Sequence, residues 1–376
     1  MRKNFNYPLF FLVIFLVGFG FLFITLLSGP ISLKRFGNTT HYSLHQLFFG
    51  VVPAIAAGVI TYKIPLKFIK KWSLPLFLLN MLAMFLVFLP KIGFRIGGAN
   101  RWLNFGNFAV QPSEFLKITA ILYLSAWISS KLSETKVNGW RAIIKRSSHN
   151  IIYILLPFLV FLGLIFIALF LQKDAGTLGI IALTLLVIYF SSKTPFWHTL
   201  LIISLGMGAF FFLIWFTPYR LQRLMIFLNP NQDPLGAGYQ LNQSLISLGS
   251  GGFFGKGLGM SIQKFGFFLP QATSDLVFAI FGEELGFVGC LILVLIFIFL
   301  FYLGLKISRN AKDSFSKMTA LGIACWLTFQ AFINMASTIG ALPLTGIPLP
   351  FFSYGGSHLI VELIGIGLLL NISKNS

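Results

Sequence analysis

Nine acidic residues stand in a chain of 376, few enough for each to be weighed as a proton donor or acceptor. Glu134 and Asp313 lie between apolar runs beside basic residues, where a solvated surface is the plain reading. Glu114, Asp174, Asp233, Asp275, Glu283, Glu284 and Glu362 fall inside apolar runs or in the other set of connecting segments. An ionisable group within a membrane span costs on the order of 2.5–3.5 kcal/mol, so it faces a partner or a polar cavity. Glu114 and Lys117, three apart in QPSEFLK, share one helix face. That spacing suits an internal ion pair and equally a cavity wall that positions a polar substrate. Asp275, in TSDLVFAIFGEELGF, suits two roles: a helix-start acid favoured by the dipole, and a general base. On a continuous helix, Glu283 and Glu284 would lie about 12 Å or more further along, so neither can share a proton with Asp275. They are expected to organise packing or a polar cavity.

The remaining constellations are weaker. The glycines from Gly249 to Gly259 match neither dinucleotide nor P-loop spacing, and are expected to permit tight turns. The five histidines lack metal-ligand spacing, and no Ser/His/Asp arrangement is readable.

What must position these residues is a membrane bundle. Apolar residues make up 57% of the chain and charged residues 10%, against roughly 45–50% and 25% in soluble domains. These values exclude an ordinary soluble globule and a disordered chain. Ten runs are long enough to span as helix: about 8–28, 44–62, 72–90, 112–130, 151–171, 175–191, 196–217, 274–305, 315–339 and 350–372. They do not alternate as barrel strands do. The first run lacks a small-x-small cleavage site and is expected to be retained. With the N-terminus inside, 17 Lys and Arg fall in inner segments and 10 in outer ones. That bias predicts two cytoplasmic termini and an outer loop over 218–273. The net charge of +19 thus reflects topology, and nucleic acid is not an expected partner. Most acids then lie at the outer face, where any chemistry is expected. Cys290 and Cys325 fall in apolar runs and are expected to be free. The expected fold is an all-α polytopic membrane protein of about ten transmembrane helices. It forms one domain over 1–376, with one large extracytoplasmic loop between helices 7 and 8.

Along almost its whole length the sequence resembles the SEDS family (shape, elongation, division and sporulation), which includes RodA and FtsW. The resemblance rests on GGANRWLNFGNFAVQPSEFLK at 97–117 and DPLGAGYQLNQSLISLGSGGFFGKGLGMSIQKFGFFLP at 233–270. It continues through SDLVFAIFGEELGFVG at 274–289 and LPLTGIPLPFFSYGGSHLI at 342–360. The family's Pro-Glu-Pro-His-Thr is Pro270-Gln271-Ala272-Thr273-Ser274 here, its Gln-Pro-Asp-Leu-Gly-Thr is Gln172-Lys173-Asp174-Ala175-Gly176-Thr177, and its final Ser-Ser is Ser357-His358.

The resemblance implies a peptidoglycan glycosyltransferase that polymerises lipid II at the outer face of the bacterial cytoplasmic membrane, during elongation or division. The implied partners are a class B penicillin-binding protein transpeptidase, other elongation or division proteins, and membrane lipid. The family's aspartate maps onto Asp275. Its QPSE-x-x-K motif maps onto Gln111, Pro112, Ser113, Glu114 and Lys117, its Arg-Trp pair onto Arg101 and Trp102, and its last motif onto Pro350, Ser353, Tyr354, Gly355, Gly356 and Ser357. Substrate contacts are therefore expected from Arg101, Gln111, Ser113, Glu114, Lys117, Lys264, Ser353 and Ser357.

The implied reaction joins a sugar 4-hydroxyl to an anomeric carbon, so a carboxylate must take the hydroxyl proton. Pyrophosphate leaves as a stabilised anion and needs no acid. Its charge calls for Arg, Lys or a divalent cation, Mg²⁺ or Mn²⁺, and no organic cofactor is expected. Arg101, Lys117, Arg220, Arg223, Lys256 and Lys264 are the candidates. Phe253, Phe254, Phe265, Phe267 and Phe268 suit a membrane interface. Two rivals stay open: a flippase for a lipid-linked precursor, and a non-catalytic scaffold for a transpeptidase.

Overall fold

The computed structural model describes residues 5–96, 99–106, 109–133, 154–192, 196–215, 218–229, 233, 238–266 and 273–375. Several residues named above, among them Glu134, Phe267, Phe268, Pro270, Gln271 and Ala272, lie outside that set, as do some of the Lys and Arg counted for the inner segments.

The protein is mostly helical. Helix α1 (Tyr7–Phe36) starts where Asn6 Oδ1 accepts the Leu9 N–H at 3.1 Å, and ends at Gly37 in the left-handed region. Helix α2 (His41–Lys63) contains a π-turn at Leu47–Val51, and α3 covers Leu66–Leu86. A small antiparallel sheet follows, β1 (Gly93–Ile96), β2 (Ala99–Asn104) and β3 (Ala109–Val110), in that order. The all-α expectation omitted this sheet. Its strands are too short, and too broken by Gly and Asn, to carry a period-2 signal.

Helices α4 (Pro112–Ser133), α5 (Leu156–Leu171), α6 (Ala175–Ser191), α7 (Phe196–Trp215), α8 (Pro218–Leu228), α9 (Tyr239–Ser250) and the short α10 (Ile262–Gly266) come next. Three long helices close the chain: α11 (Val277–Asn310), α12 (Ser314–Thr338) and α13 (Gly356–Asn375). Among the described residues six helices, α1, α2, α3, α11, α12 and α13, are long and apolar enough to cross a membrane.

The bundle has an inside and a lipid-facing outside. Helices α12 and α13 are buried along most of their length, around Trp326, Leu327, Val361 and Leu369. Helices α1, α2, α3 and α11 instead present exposed Phe11, Ile55, Leu79 and Leu295. Both cysteines are free, as expected.

Helix α11 starts at Val277, three residues later than the span expected from 274. It is broken at Gly286, whose φ of 67° and ψ of −168° only glycine adopts readily. The expected last span over 350–372 divides in two. Its helix starts at Gly356, and residues 343–349 before it are neither helix nor strand. The prolines at 343, 348 and 350 lack an N–H to donate, which stops a helix there.

Candidate functional site

The irregular segment from Leu344 to Ser357 is the hub on which most sequence-predicted site residues converge. Its backbone must be satisfied inside the bundle, and neighbouring polar side chains do this. Asn334 on α12 donates through Nδ2 to Ile347 O and to Asp275 O, each at 2.7 Å. Gln330, one turn earlier, donates to Pro348 O at 3.0 Å. Gln46 on α2 accepts the Gly355 N–H at 3.0 Å. Ser353 Oγ accepts the Leu349 N–H at 2.8 Å and donates to Ser274 O, and the Tyr354 N–H donates to Thr273 O at 2.7 Å. The two carbonyls just before Asp275 are thereby fastened to the hub.

Asp275 is half-buried on this support. Its Oδ1 accepts the Ser274 hydroxyl at 2.8 Å. A Cβ added to Gly346 would stand 3.6 Å from Oδ2, and φ at Gly346 is +68°, so the hub backbone runs close to the carboxylate. Burial raises the Asp275 pKa from the ordinary value, while the Ser274 hydroxyl, the residue's own backbone N–H and the Arg223 charge pull it back. Arg223 belongs to α8, and its Nη1 donates to Leu344 O at 2.6 Å. The cap position of α11 is Leu276, which makes no side-chain cap bond.

The QPSE-x-x-K motif meets the hub from α4. Lys117 Nζ donates to Glu114 Oε2 at 2.7 Å and to Gln330 Oε1 at 2.8 Å, and lies 5.4 Å from the Trp326 ring centroid. Lys117 is 2% exposed and Glu114 3%. Of the two readings open from sequence, this geometry is that of the internal ion pair. It reaches the hub through Gln330 and Pro348. Ser357 Oγ accepts the Gln111 N–H at 3.1 Å, tying the start of α4 to the start of α13.

A third cluster braces the first turns of α4 and α6. Gln111 donates to Ser113 Oγ at 3.0 Å, and Ser113 donates to Asp174 Oδ2 at 3.1 Å. Asp174 caps α6 by accepting the Thr177 N–H at 3.2 Å. Arg101 on β2 donates to Gln172 O at 3.0 Å and Lys173 O at 2.5 Å, the carbonyls left open where α5 ends. Arg101 thus clamps a turn through its guanidinium.

The fourth cluster stands apart. Where α11 breaks, the glycine-rich hook at Gly251–Ile262 is spliced in. The Lys256 and Gly257 N–H groups donate to Glu283 O and Glu284 O, while the Phe287 and Val288 N–H groups donate to Gly252 O and Phe253 O. Glu283 accepts Lys256 Nζ at 2.8 Å, Ser261 Oγ at 2.5 Å and the Ile262 N–H at 3.2 Å. Glu284 accepts the Gly259 N–H at 2.8 Å and Lys264 Nζ at 3.0 Å. Lys264, expected on substrate, is 2% exposed in this pairing. Phe253 and Phe254 are largely exposed at the hook.

The structure therefore brings Ser353 to the backbone beside Asp275 and links Gln111, Ser113, Glu114, Lys117 and Ser357 to the same hub. Arg101 and Lys264 serve other clusters. Sequence reasoning singled out neither Asn334 nor Gln330. Two amides four apart in an apolar run were a usable signal, but attention to charge passed over them. Arg223 was one of six cations without a ranking. Among the described residues no three His, Cys, Asp or Glu gather as metal ligands.

Three comparisons bear on this arrangement. The model of the FtsW/RodA/SpoVE family, described as cell cycle proteins, matches residues 7–376. A probable peptidoglycan glycosyltransferase FtsW of Trichlorobacter lovleyi is 35% identical over 96% of this chain and 91% of its own. The stage V sporulation protein E of Bacillus subtilis is 34% identical over 97% and 96%. Among solved structures, a chain from a study of polymerization and crosslinking by a peptidoglycan synthase complex aligns with a TM-score of 0.74 at 22% identity, covering 98% of both chains. The rod shape determining protein RodA of Thermus thermophilus aligns with a TM-score of 0.66 at 24% identity, covering 98% of this chain and 97% of its own. These two establish likeness of fold.

Proposed function

This chain belongs to the FtsW/RodA/SpoVE family, and from that premise we propose how it acts as a peptidoglycan glycosyltransferase. The substrate is lipid II, polymerised into glycan at the outer face of the cytoplasmic membrane, with Asp275 as general base. One observation carries the assignment. The half-buried acid beside the hub, with its two preceding carbonyls fastened and Arg223 acting on it, is Asp275.

In this reading the 4-hydroxyl oxygen of the incoming sugar attacks the anomeric carbon of the growing lipid-linked chain. The hydroxyl proton passes to an Asp275 oxygen, and the carbon–oxygen bond to pyrophosphate breaks, its electron pair leaving on the phosphate. A carboxylate whose pKa burial has raised is a better proton acceptor than a fully solvated one. Arg223 is the cation set to meet the developing pyrophosphate charge. A divalent cation, Mg²⁺ or Mn²⁺, would be held by a carboxylate together with the substrate's own phosphate oxygens.

The remaining organisation follows from the same reading: one domain of about ten spans, cytoplasmic termini, a large outer loop over 218–273, and a class B penicillin-binding protein as crosslinking partner in elongation or division. The test is lipid II polymerisation by purified protein in detergent, with and without a transpeptidase, comparing wild type with Asp275→Ala. Glycan from wild type and none from the variant is the expected result. Polymer from Asp275→Ala overturns the base assignment, and lipid II translocation without polymer from wild type favours the flippase.

A further inference from the structure

Glu362 is a buried carboxylate that the mechanism does not use and that belongs to none of the clusters above. Glu362 is 0% exposed on α13, in the interior of the bundle. Its Oε1 lies 3.3 Å from Nδ1 of His358, one turn earlier, and its Oε2 accepts the Phe351 N–H at 2.9 Å. Phe351 is a buried non-glycine residue with φ +66°, a left-handed conformation that persists only where its surroundings enforce it. Two surroundings do so. Glu362 holds the amide of Phe351, and Gly20 on α1 leaves space for its carbonyl, since a Cβ there would lie 2.2 Å from Phe351 O.

The turn held in this way is the one that reaches Asp275. Two residues beyond Phe351, Ser353 grips Ser274 O, and the next N–H grips Thr273 O. We infer that Glu362 is a positioning residue for the Asp275 carboxylate, acting through the strained Phe351 turn. This rests on the base role proposed above. The effective feature is an acceptor for one backbone N–H, so a neutral amide of the same length should serve in its place. His358 Nδ1 anchors the carboxylate that accepts this bond.

Glu362→Met, close in length but unable to accept strongly, is expected to lower kcat for lipid II polymerisation at least tenfold with KM within threefold. Glu362→Gln is expected within threefold of wild type in both. Gly20→Ala, on a different helix, pushes the Phe351 carbonyl from the other side and is expected to repeat the kcat loss. It gives a second test should Glu362→Met not fold, as judged by gel filtration and melting. A folded Glu362→Met or Gly20→Ala with wild-type kcat overturns the inference, as does Glu362→Gln losing as much as Glu362→Met, or a loss confined to KM. Asp275→Ala is run alongside. If it polymerises, the base reading has failed. If it is inactive while Glu362→Met matches wild type, the positioning role alone has failed.

Discussion

Asp275 and the Glu283–Glu284 pair lie eight and nine residues apart, yet they live under opposite rules. The two glutamates are each 1% exposed and engage lysines, hydroxyls and backbone amides of the hook. Asp275 is half-buried, accepts a neighbouring hydroxyl, and is steered mainly through the backbone that carries it. A carboxylate enclosed by donors is a fastener. One that is partly exposed on a backbone fixed from outside is placed to take a proton.

The strongest way to break this contrast is to exchange the consequences of mutation. Asp275→Asn is expected to lower polymerisation roughly 10²–10⁴-fold, the range a general base supplies, and to leave the detergent-purified protein folded. Glu284→Ala should do the reverse first. It removes the buried carboxylate that Lys264 pairs with, at a cost of about 3–5 kcal/mol for a buried pair broken on one side, read as a large fall in melting temperature and yield. The double change Glu284→Met with Lys264→Met is expected to recover part of that loss, because an apolar pair buries neither charge. A stable, inactive Glu284→Ala protein would place the glutamates in the chemistry and dissolve the contrast.

A smaller effect sharpens it. Burial raises the Asp275 pKa and Arg223 lowers it, so the acid limb of kcat/KM is expected above the ordinary carboxylate range. Arg223→Gln removes the lowering cation and should move that limb to higher pH. A limb that moves down, or does not move, removes Arg223 from the site. The smallest effect is on stability. With its folded-state pKa raised, Asp275 holds its proton more tightly in the native protein than in the unfolded chain. Its contribution therefore falls as pH rises from the unfolded pKa through the folded one. At neutral pH, Asp275→Asn is expected to raise the melting temperature slightly.

Much of this contrast was legible before any coordinates. The apolar runs anticipated where α1, α2, α11, α12 and α13 lie, because membrane length constrains helices strongly. Asp275 stood out as an acid at the edge of a run, and QPSEFLK gave its ion pair through i,i+3 spacing alone. What escaped depended on backbone that leaves a helix. Gly286 sits inside the span expected over 274–305, and the two acids just before it mark polarity but not its positive φ or the hook spliced there. Phe351 conceals its strain in the same way, since aromatic side chains give no hint of a left-handed turn. The Lys264–Glu284 pairing joins residues 20 apart through that break, so neither helical nor strand periodicity could foresee it. Asn334 and Gln330 act on carbonyls exposed by the prolines of 343–350, a need visible only once the hub exists.

The splice at Gly286 has a bearing on how the chain can be altered. By composition, the tract from Gly251 to Gly259 looks like the most pliable stretch of the protein, a natural place to graft an epitope or a fluorophore. Its peptide groups instead complete the hydrogen-bond ladder of a neighbouring helix, so each residue there has a fixed count. A label inserted into that tract would pull the register of α11 with it.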